Sequence, residues 1–248
     1  MSKIFHDVEN NRIDFLDERF YKAGDNFYPS VTFILDSVYP KGFGFIEYLK
    51  SQGNNAEVEL KKAGDEGSLI HDVIDMYLKG EQVVWNDEVY SFRVWTQILK
   101  IFSFFETHKP EIIENEVSIT SDKYRIGGTI DLICRLNGEL WLIDYKSSNA
   151  LYKTHELQIS AYATMWNEVF PDKKIDKTGI LWTKAQTRGE DKSGKKIQGK
   201  GWQLKEPERH YTEAFKIFQY TLGIFNEENP NAKPKNITYP DRIKREGF

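Results

Sequence analysis

IGGTIDLICRLNGELWLIDYKSSNALYKTHELQISAY, residues 126–162, holds two apolar runs joined by Leu136-Asn137-Gly138-Glu139. Asn-Gly between apolar runs signals a β-hairpin with a two-residue type I′ turn, because both loop positions need positive φ. Counting outward from Asn137 and Gly138 pairs Leu136 with Glu139, Ile133 with Leu142 and Asp131 with Asp144. Two carboxylates then face each other across the ladder with Cβ atoms about 5 Å apart, where like charges destabilise a sheet unless something neutralises them. A divalent cation suits that position, since hard cations take oxygen ligands. Lys146 lies two residues past Asp144 and shares its face. If both acids were merely solvated, that face would be exposed, yet Ile133 and Leu142 form its next pair, and Asp is depleted from strands in general.

Outward from the hairpin, the apolar periodicity predicts the surrounding elements. Gly67–Lys79 reads as an amphipathic helix with Ile70, Ile74, Tyr77 and Leu78 on one face and His71 at its edge, ended by Gly80. Val89–His108 reads as a longer helix stopped before Pro110, and Glu114–Thr120 as an alternating strand. Thr154–Phe170 is predicted helical, Ile175–Trp182 a strand and Pro207–Phe225 a helix. Near the N-terminus, Arg19–Tyr28 reads as a second hairpin around Gly24-Asp25-Asn26, and Ser30 as the N-cap of a short helix. Helical pieces are expected around Phe45–Lys50 and Ala56–Lys61. Residues 184–201 show no periodicity and read as a long exposed loop. The order of elements gives one α/β domain on a small mixed sheet, residues 1–248, with an N-terminal hairpin and helical region (1–62), a core (63–228) and an extended tail (229–248).

Composition narrows the function classes. The chain has 248 residues, 40% hydrophobic and 29% charged, as soluble globular proteins do. One cysteine, Cys134, excludes an internal disulfide framework, a Cys-rich zinc site and an all-cysteine iron–sulfur cluster within one chain. No apolar run is long enough for a transmembrane helix, and the N-terminus lacks an apolar signal core, so a cytoplasmic location is expected (host cytoplasm for a phage-encoded chain) and no membrane partner. A net charge of −4 is unlike that of a non-specific polyanion binder, so nucleic-acid contact requires local basic patches.

Several residues carry two readings. Glu116 is a third acid on a strand able to lie beside the hairpin, but Glu114 offers a competing register. A lone helical His71 is as a rule a core or surface histidine rather than a ligand. Gln158 and Tyr162 share a helical face, which ordinary packing also explains. The segment with Lys184, Arg188, Lys192, Lys195, Lys196 and Lys200 is either a solvated loop or a mobile clamp on a phosphate backbone, with Trp182 and Trp202 available to stack on unpaired bases.

Taken together these residues resemble the PD-(D/E)XK nuclease superfamily in its RecB-like branch. The pattern is a helical His, a strand Glu, Gly-x-x-Asp, Asp-x-Lys and Gln-x-x-x-Tyr, present as Gly67-Ser-Leu-Ile-His71, Glu116, Gly128-Thr-Ile-Asp131, Asp144-Tyr-Lys146 and Gln158-Ile-Ser-Ala-Tyr162. Tyr28-Pro-Ser-Val-Thr-Phe-Ile-Leu, Asp144-Tyr-Lys-Ser147-Ser and Leu157-Gln-Ile-Ser-Ala-Tyr resemble a narrower group that contains phage-type exonucleases and the mitochondrial genome maintenance exonuclease. The resemblance implies a restriction-endonuclease-like core. It implies that His71, Asp131, Asp144 and the Tyr145 carbonyl bind Mg²⁺ or Mn²⁺ with help from Glu116, and that Lys146 acts on the attacking water. It implies that Gln158, Tyr162 and Ser147 support the site and touch nucleic acid. Cysteine-held iron–sulfur clusters of some relatives have no counterpart here. The expected activity is a metal-dependent DNA exonuclease on single strands with free ends, with a replication or recombination protein as a conceivable partner. The alternatives are a structure-specific or double-strand endonuclease of the same superfamily and a non-catalytic nucleic-acid-binding subunit.

Overall fold

The computed structural model describes residues 5–7, 12–15, 18–186, 188–190 and 192–234. Its elements in chain order are β1 (Phe5–Asp7), β2 (Arg12–Phe15), β3 (Glu18–Ala23), β4 (Asn26–Pro29), α1 (Val31–Val38), α2 (Phe43–Gln52), α3 (Ala56–Leu78), α4 (Phe92–His108), β5 (Glu111–Ser121), β6 (Ile126–Leu136), β7 (Glu139–Lys146), α5 (Lys153–Val169), β8 (Lys177–Trp182), β9 (Arg188–Glu190), β10 (Lys196–Gln198), β11 (Gln203–Lys205) and α6 (Tyr211–Glu228). The central sheet has the order β11-β8-β7-β6-β5. Only β7 and β8 run parallel, joined by the α5 crossover that parallel strands require. A mixed sheet with helices on both faces is the α/β core that the order of elements led us to expect.

The hairpin has the expected register. Leu136 pairs with Glu139 and Ile133 with Leu142, and Asn137 and Gly138 both take positive φ, 53° and 85°. Alternation along β6 and β7 divides the core in two. Ile133, Leu140 and Leu142 pack with α5 and α6 residues such as Leu157, Trp166 and Phe218. Leu132, Cys134, Trp141 and Ile143 pack with Ile70, Ile74, Ile98 and Phe104 of α3 and α4.

A second, antiparallel sheet of β1–β4 lies across β6. Two adjacent glycines make room for what packs on β6. A Cβ at Gly127 would sit 2.6 Å from Tyr21 of β3, and one at Gly128 would sit 2.3 Å from the ring of Tyr162 of α5. Tyr28 Oη donates to Asp122 at 2.8 Å, and Ser30 bridges to Gly127. Ser30 also caps α1, accepting from Phe33 N at 2.9 Å.

Four expectations need correction. The helix carrying His71 starts at Ala56 rather than Gly67; none of its residues before Ile70 is buried, so its first turns carry no apolar stripe to be read. Residues 184–201 are partly ordered as the β9–β10 hairpin, whose short polar strands lack alternation. β11, three residues paired to β8, carried no sequence signal. The last helix begins at Tyr211, capped by His210, and Pro207 precedes it. Most of the expected C-terminal tail, from residue 235 on, lies outside the described residues.

The glycines supply a test. Gly128→Ala must push Tyr162 away and should cost about 1–3 kcal/mol in urea unfolding. Gly67 lies inside α3 with open space around its Cβ position, so Gly67→Ala should instead stabilise by roughly 0.5–1 kcal/mol. A neutral Gly128→Ala would show that the close approach of α5 to β6 is wrong.

Candidate active site

The paired strands shift register at Ile112–Glu114 of β5 and break their ladder again beside Asp131. The β6–β7 ladder stops at Leu132–Ile143, one step short of the expected Asp131–Asp144 pair. On its other side, β6 pairs Leu132 with Asn115 and Ile130 with Val117, skipping the Glu116–Asp131 step. Glu116 takes a left-handed φ of 48°, rare for a residue other than glycine and a mark of local strain. Ile130 packs with the α5 side and Leu132 with the α3 side, although an even spacing should put both on one face. Alternation therefore inverts at Asp131, and the two aspartates are not cross-strand neighbours in a regular ladder as the register count predicted.

The inversion has a clear hydrogen-bonding consequence. Asp131 Oδ2 accepts from Tyr145 N at 2.7 Å, taking over the donor that a continued ladder would have satisfied with backbone. Its Oδ1 lies 3.5 Å from His71 Nδ1. Glu116 Oε1 lies 2.9 Å from the same nitrogen. The contact decides between the two glutamates: Glu116 faces His71, while Glu114 is exposed. His71, Glu116 and Asp131 each offer a ligand atom within 4.8 Å of the others.

Asp144 is arranged differently. It is 1% exposed, Gln158 Nε2 donates to its Oδ1 at 3.1 Å, and Lys146 Nζ lies 2.7 Å from its Oδ2. That short ion pair supplies the charge that meets the buried Oδ2. Gln158 Nε2 also lies 3.2 Å from Tyr162 Oη. Gln158 and Tyr162 are both buried, and Gln158 links the Tyr162 hydroxyl to Asp144. Tyr145 is buried, its ring set edge-on to His71 at 5.6 Å.

Charge follows from this packing. Burial disfavours the His71 imidazolium, but Asp131 and Glu116 outweigh it and raise its pKa from 6.5 to about 9. Burial raises Asp144 to about 6, with the Lys146 ammonium opposing and Asp131 adding to the rise. Burial likewise raises Asp131, against the pull of His71. Burial works against the Lys146 ammonium too, yet Asp144 and Asp131 outweigh it and hold the proton more tightly than usual. In this arrangement the His71 proton stands between Glu116 and Asp131, where a cation is called for. A metal set of one imidazole and carboxylates fits a hard divalent cation, and the strained Glu116 is a feature that a bound cation would account for.

The other candidates follow β7 and β8 in the chain. Ser147 is half-buried at the end of β7. The loop that follows is tied to the end of β8: Thr183 N donates to Lys146 O at 3.0 Å and Trp182 Nε1 to Ser148 O at 2.8 Å. Lys184 Nζ donates to Asn149 Oδ1 at 3.0 Å in the loop after β7. Lys192 and Lys195 are exposed at the tip of the β9–β10 hairpin; the side chains of Arg188 and Lys196 lie outside the described residues. Trp202 is no stacking platform. It is 6% exposed, edge-on to Phe104 at 5.6 Å, and donates to Ser103 Oγ at 3.2 Å.

One neighbour was missed in the sequence. His155 is half-buried, one turn before Gln158 on the same face of α5, and its pKa is lowered to about 3 by burial and by the Lys146 charge. Its Nδ1 accepts from Tyr152 N at 3.3 Å, so the neutral ring carries its proton on Nε2. The i, i+3 spacing to Gln158 was the only available signal.

Comparison with known proteins places this geometry. No curated protein matches the sequence. A solved structure of a candidate exonuclease from Eubacterium rectale is similar at 13% identity, over 89% of this chain and 90% of that one, with a TM-score of 0.45. The model of the PD-(D/E)XK nuclease superfamily matches residues 45–232, which contain His71, Glu116, Asp131, Asp144 and Lys146. The chain belongs to the PD-(D/E)XK nuclease superfamily.

Proposed function

We propose that the chain hydrolyses DNA phosphodiester bonds, with Mg²⁺ or Mn²⁺ held by His71, Glu116 and Asp131 and with Asp144 beside them. The observation that carries this reading is the meeting of His71, Glu116 and Asp131 within 4.8 Å where two strands break their ladder. The charge count agrees. Glu116, Asp131 and Asp144 ionised carry three negative charges, which Lys146 and a divalent cation balance once His71 is neutral. A cation there would polarise the phosphate and lower the pKa of a water beside it.

The chain's own residues have separable tasks. Asp144 and Asp131 favour the Lys146 ammonium against burial, which suits it to donate hydrogen bonds to negative charge developing on the phosphate. Gln158 keeps Asp144 turned toward Lys146. Tyr145 and Tyr162 fill the space behind the charged groups. Lys184, Lys192 and Lys195 supply local positive charge in an acidic protein. Gln158 and Tyr162, spaced as in the RecB-like branch, together with the Tyr28–Leu35 segment, support an exonuclease acting on single strands with free ends and leaving 5′-phosphates. Residues 1–248 act as one nuclease domain on this reading.

Three outcomes test it. Lys146→Ala should slow cleavage by about 10²–10⁴-fold, whereas Glu114→Ala should leave it within a few-fold; equal loss in both would remove the register assignment. A linear labelled single strand should be degraded and a circular one spared, and cutting of the circle would make the enzyme an endonuclease. The third concerns pH. His71 keeps its proton up to about 9, so its contribution to the metal-free fold is complete below pH 6.5 and is lost as pH rises through 9. A cation must displace that proton, so its affinity should rise by up to about tenfold per pH unit between 6.5 and 9. The melting-temperature gain from millimolar Mn²⁺ should therefore be larger at pH 8.5 than at pH 6.5, and His71→Ala should flatten the difference. A gain independent of pH would show that His71 is no ligand.

A further inference from the structure

The N-terminal sheet carries a pair of arginines that the proposed chemistry does not use. β2 and β3 pair Arg12 with Tyr21 and Asp14 with Arg19, and strand alternation sets all four side chains on one face. The Tyr21 ring lies on Gly127, so this face is turned toward β6. Asp14 sits between the arginines: Arg12 Nε donates to its Oδ2 at 2.9 Å and Arg19 Nε to its Oδ1 at 2.8 Å. One carboxylate thus fixes two guanidinium groups, each by its inner nitrogen. Among the described residues, no hydrogen-bond partner takes the outer Nη groups of either arginine. The register also sets Asp7 of β1 opposite Arg12, so the pair offers two half-buried planar forks held in place rather than an excess of positive charge.

The pair lies beside the candidate active site. Tyr21 Oη is 2.9 Å from Thr129 Oγ1, which is 3.2 Å from Ser118 Oγ. Thr129 is two residues before Asp131 on β6, and Ser118 two after Glu116 on β5. Tyr162, behind Asp144, is also within electrostatic reach of Arg19. Fixed arginine forks suit phosphate oxygens, to which they offer paired donors.

We infer that Arg12 and Arg19, held by Asp14, bind a backbone phosphate of the nucleic-acid strand adjacent to the phosphate that is cut. The inference rests on the nuclease reading. The two arginines precede residue 45, where the superfamily match begins.

The test uses the full-length protein with Arg12→Gln and Arg19→Gln, singly and together, and melting temperature as a check on folding. In EDTA, binding of a labelled single strand should weaken by about tenfold per substitution, and the double variant should lower the slope of log affinity against log salt by about 1. With Mn²⁺, KM should rise while kcat stays near wild type. Arg19→Lys should restore only part of the affinity, because one ammonium does not serve Asp14 and a phosphate in the same fork geometry. Strands with a 5′-phosphate or a 5′-hydroxyl separate a terminal from an internal phosphate, and dependence on the arginines in either supports the site. Wild-type affinity, salt slope and KM in the folded double variant would overturn the inference, as would a fall in kcat alone. The nuclease reading fails separately, if wild type binds DNA through these arginines and cuts none with either metal.

Discussion

Three carboxylates gathered at the edge of a buried sheet can persist only if positive charge meets them. An unpaired buried charge costs far more than a hydrogen bond returns. Here Glu116, Asp131 and Asp144 converge where the ladders on both sides of β6 break. Each neighbouring element supplies part of the compensation. α3 brings His71 to Glu116 and Asp131, β7 brings Lys146 to Asp144, α5 brings Gln158 to its other oxygen, and the backbone of Tyr145 takes the remaining oxygen of Asp131. Asp131 and Glu116 outweigh burial and raise the pKa of His71 to about 9, so its proton meets part of their charge.

The scaffold holds these groups by close packing. Gly127 and Gly128 let Tyr21 and Tyr162 approach the β6 backbone more closely than any side chain there would allow. Tyr162 meets Gln158, which meets Asp144. Tyr21 meets Thr129, two residues from Asp131. A glycine pair with no chemistry of its own thereby sets the distance between the sheet and both tyrosines, and through them the orientation of the acids. The Gly-x-x-Asp spacing has a mechanical reason as well as a familial one.

The hairpin was legible because its signals are local. Asn137-Gly138 fixes the turn, the turn fixes the register, and alternation then puts Lys146 beside Asp144. The inversion at Asp131 was not legible. It depends on Glu116, a distant residue whose left-handed backbone no neighbour in the sequence announces. Asp131 therefore reached the expected site by a different route, through Tyr145 N and His71. α3 was read too short because its first turns bury nothing. Trp202 was read as a candidate platform because composition does not show that Phe104 and Ser103 enclose it. The arginine pair escaped notice because its meaning lies in a cross-strand pairing with Asp14, in a stretch that otherwise reads as polar and featureless.

The central claim is that the break in the ladder exists to hold a cation between α3 and the sheet. Anomalous diffraction from crystals of the wild-type protein soaked in Mn²⁺ tests it most directly. The account predicts a manganese peak bounded by His71, Glu116 and Asp131, with the His71 ring within ligand distance and the peak lost in Asp131→Asn. A manganese peak bound elsewhere, or none at saturating metal with His71 still bridging Glu116 and Asp131, would contradict it.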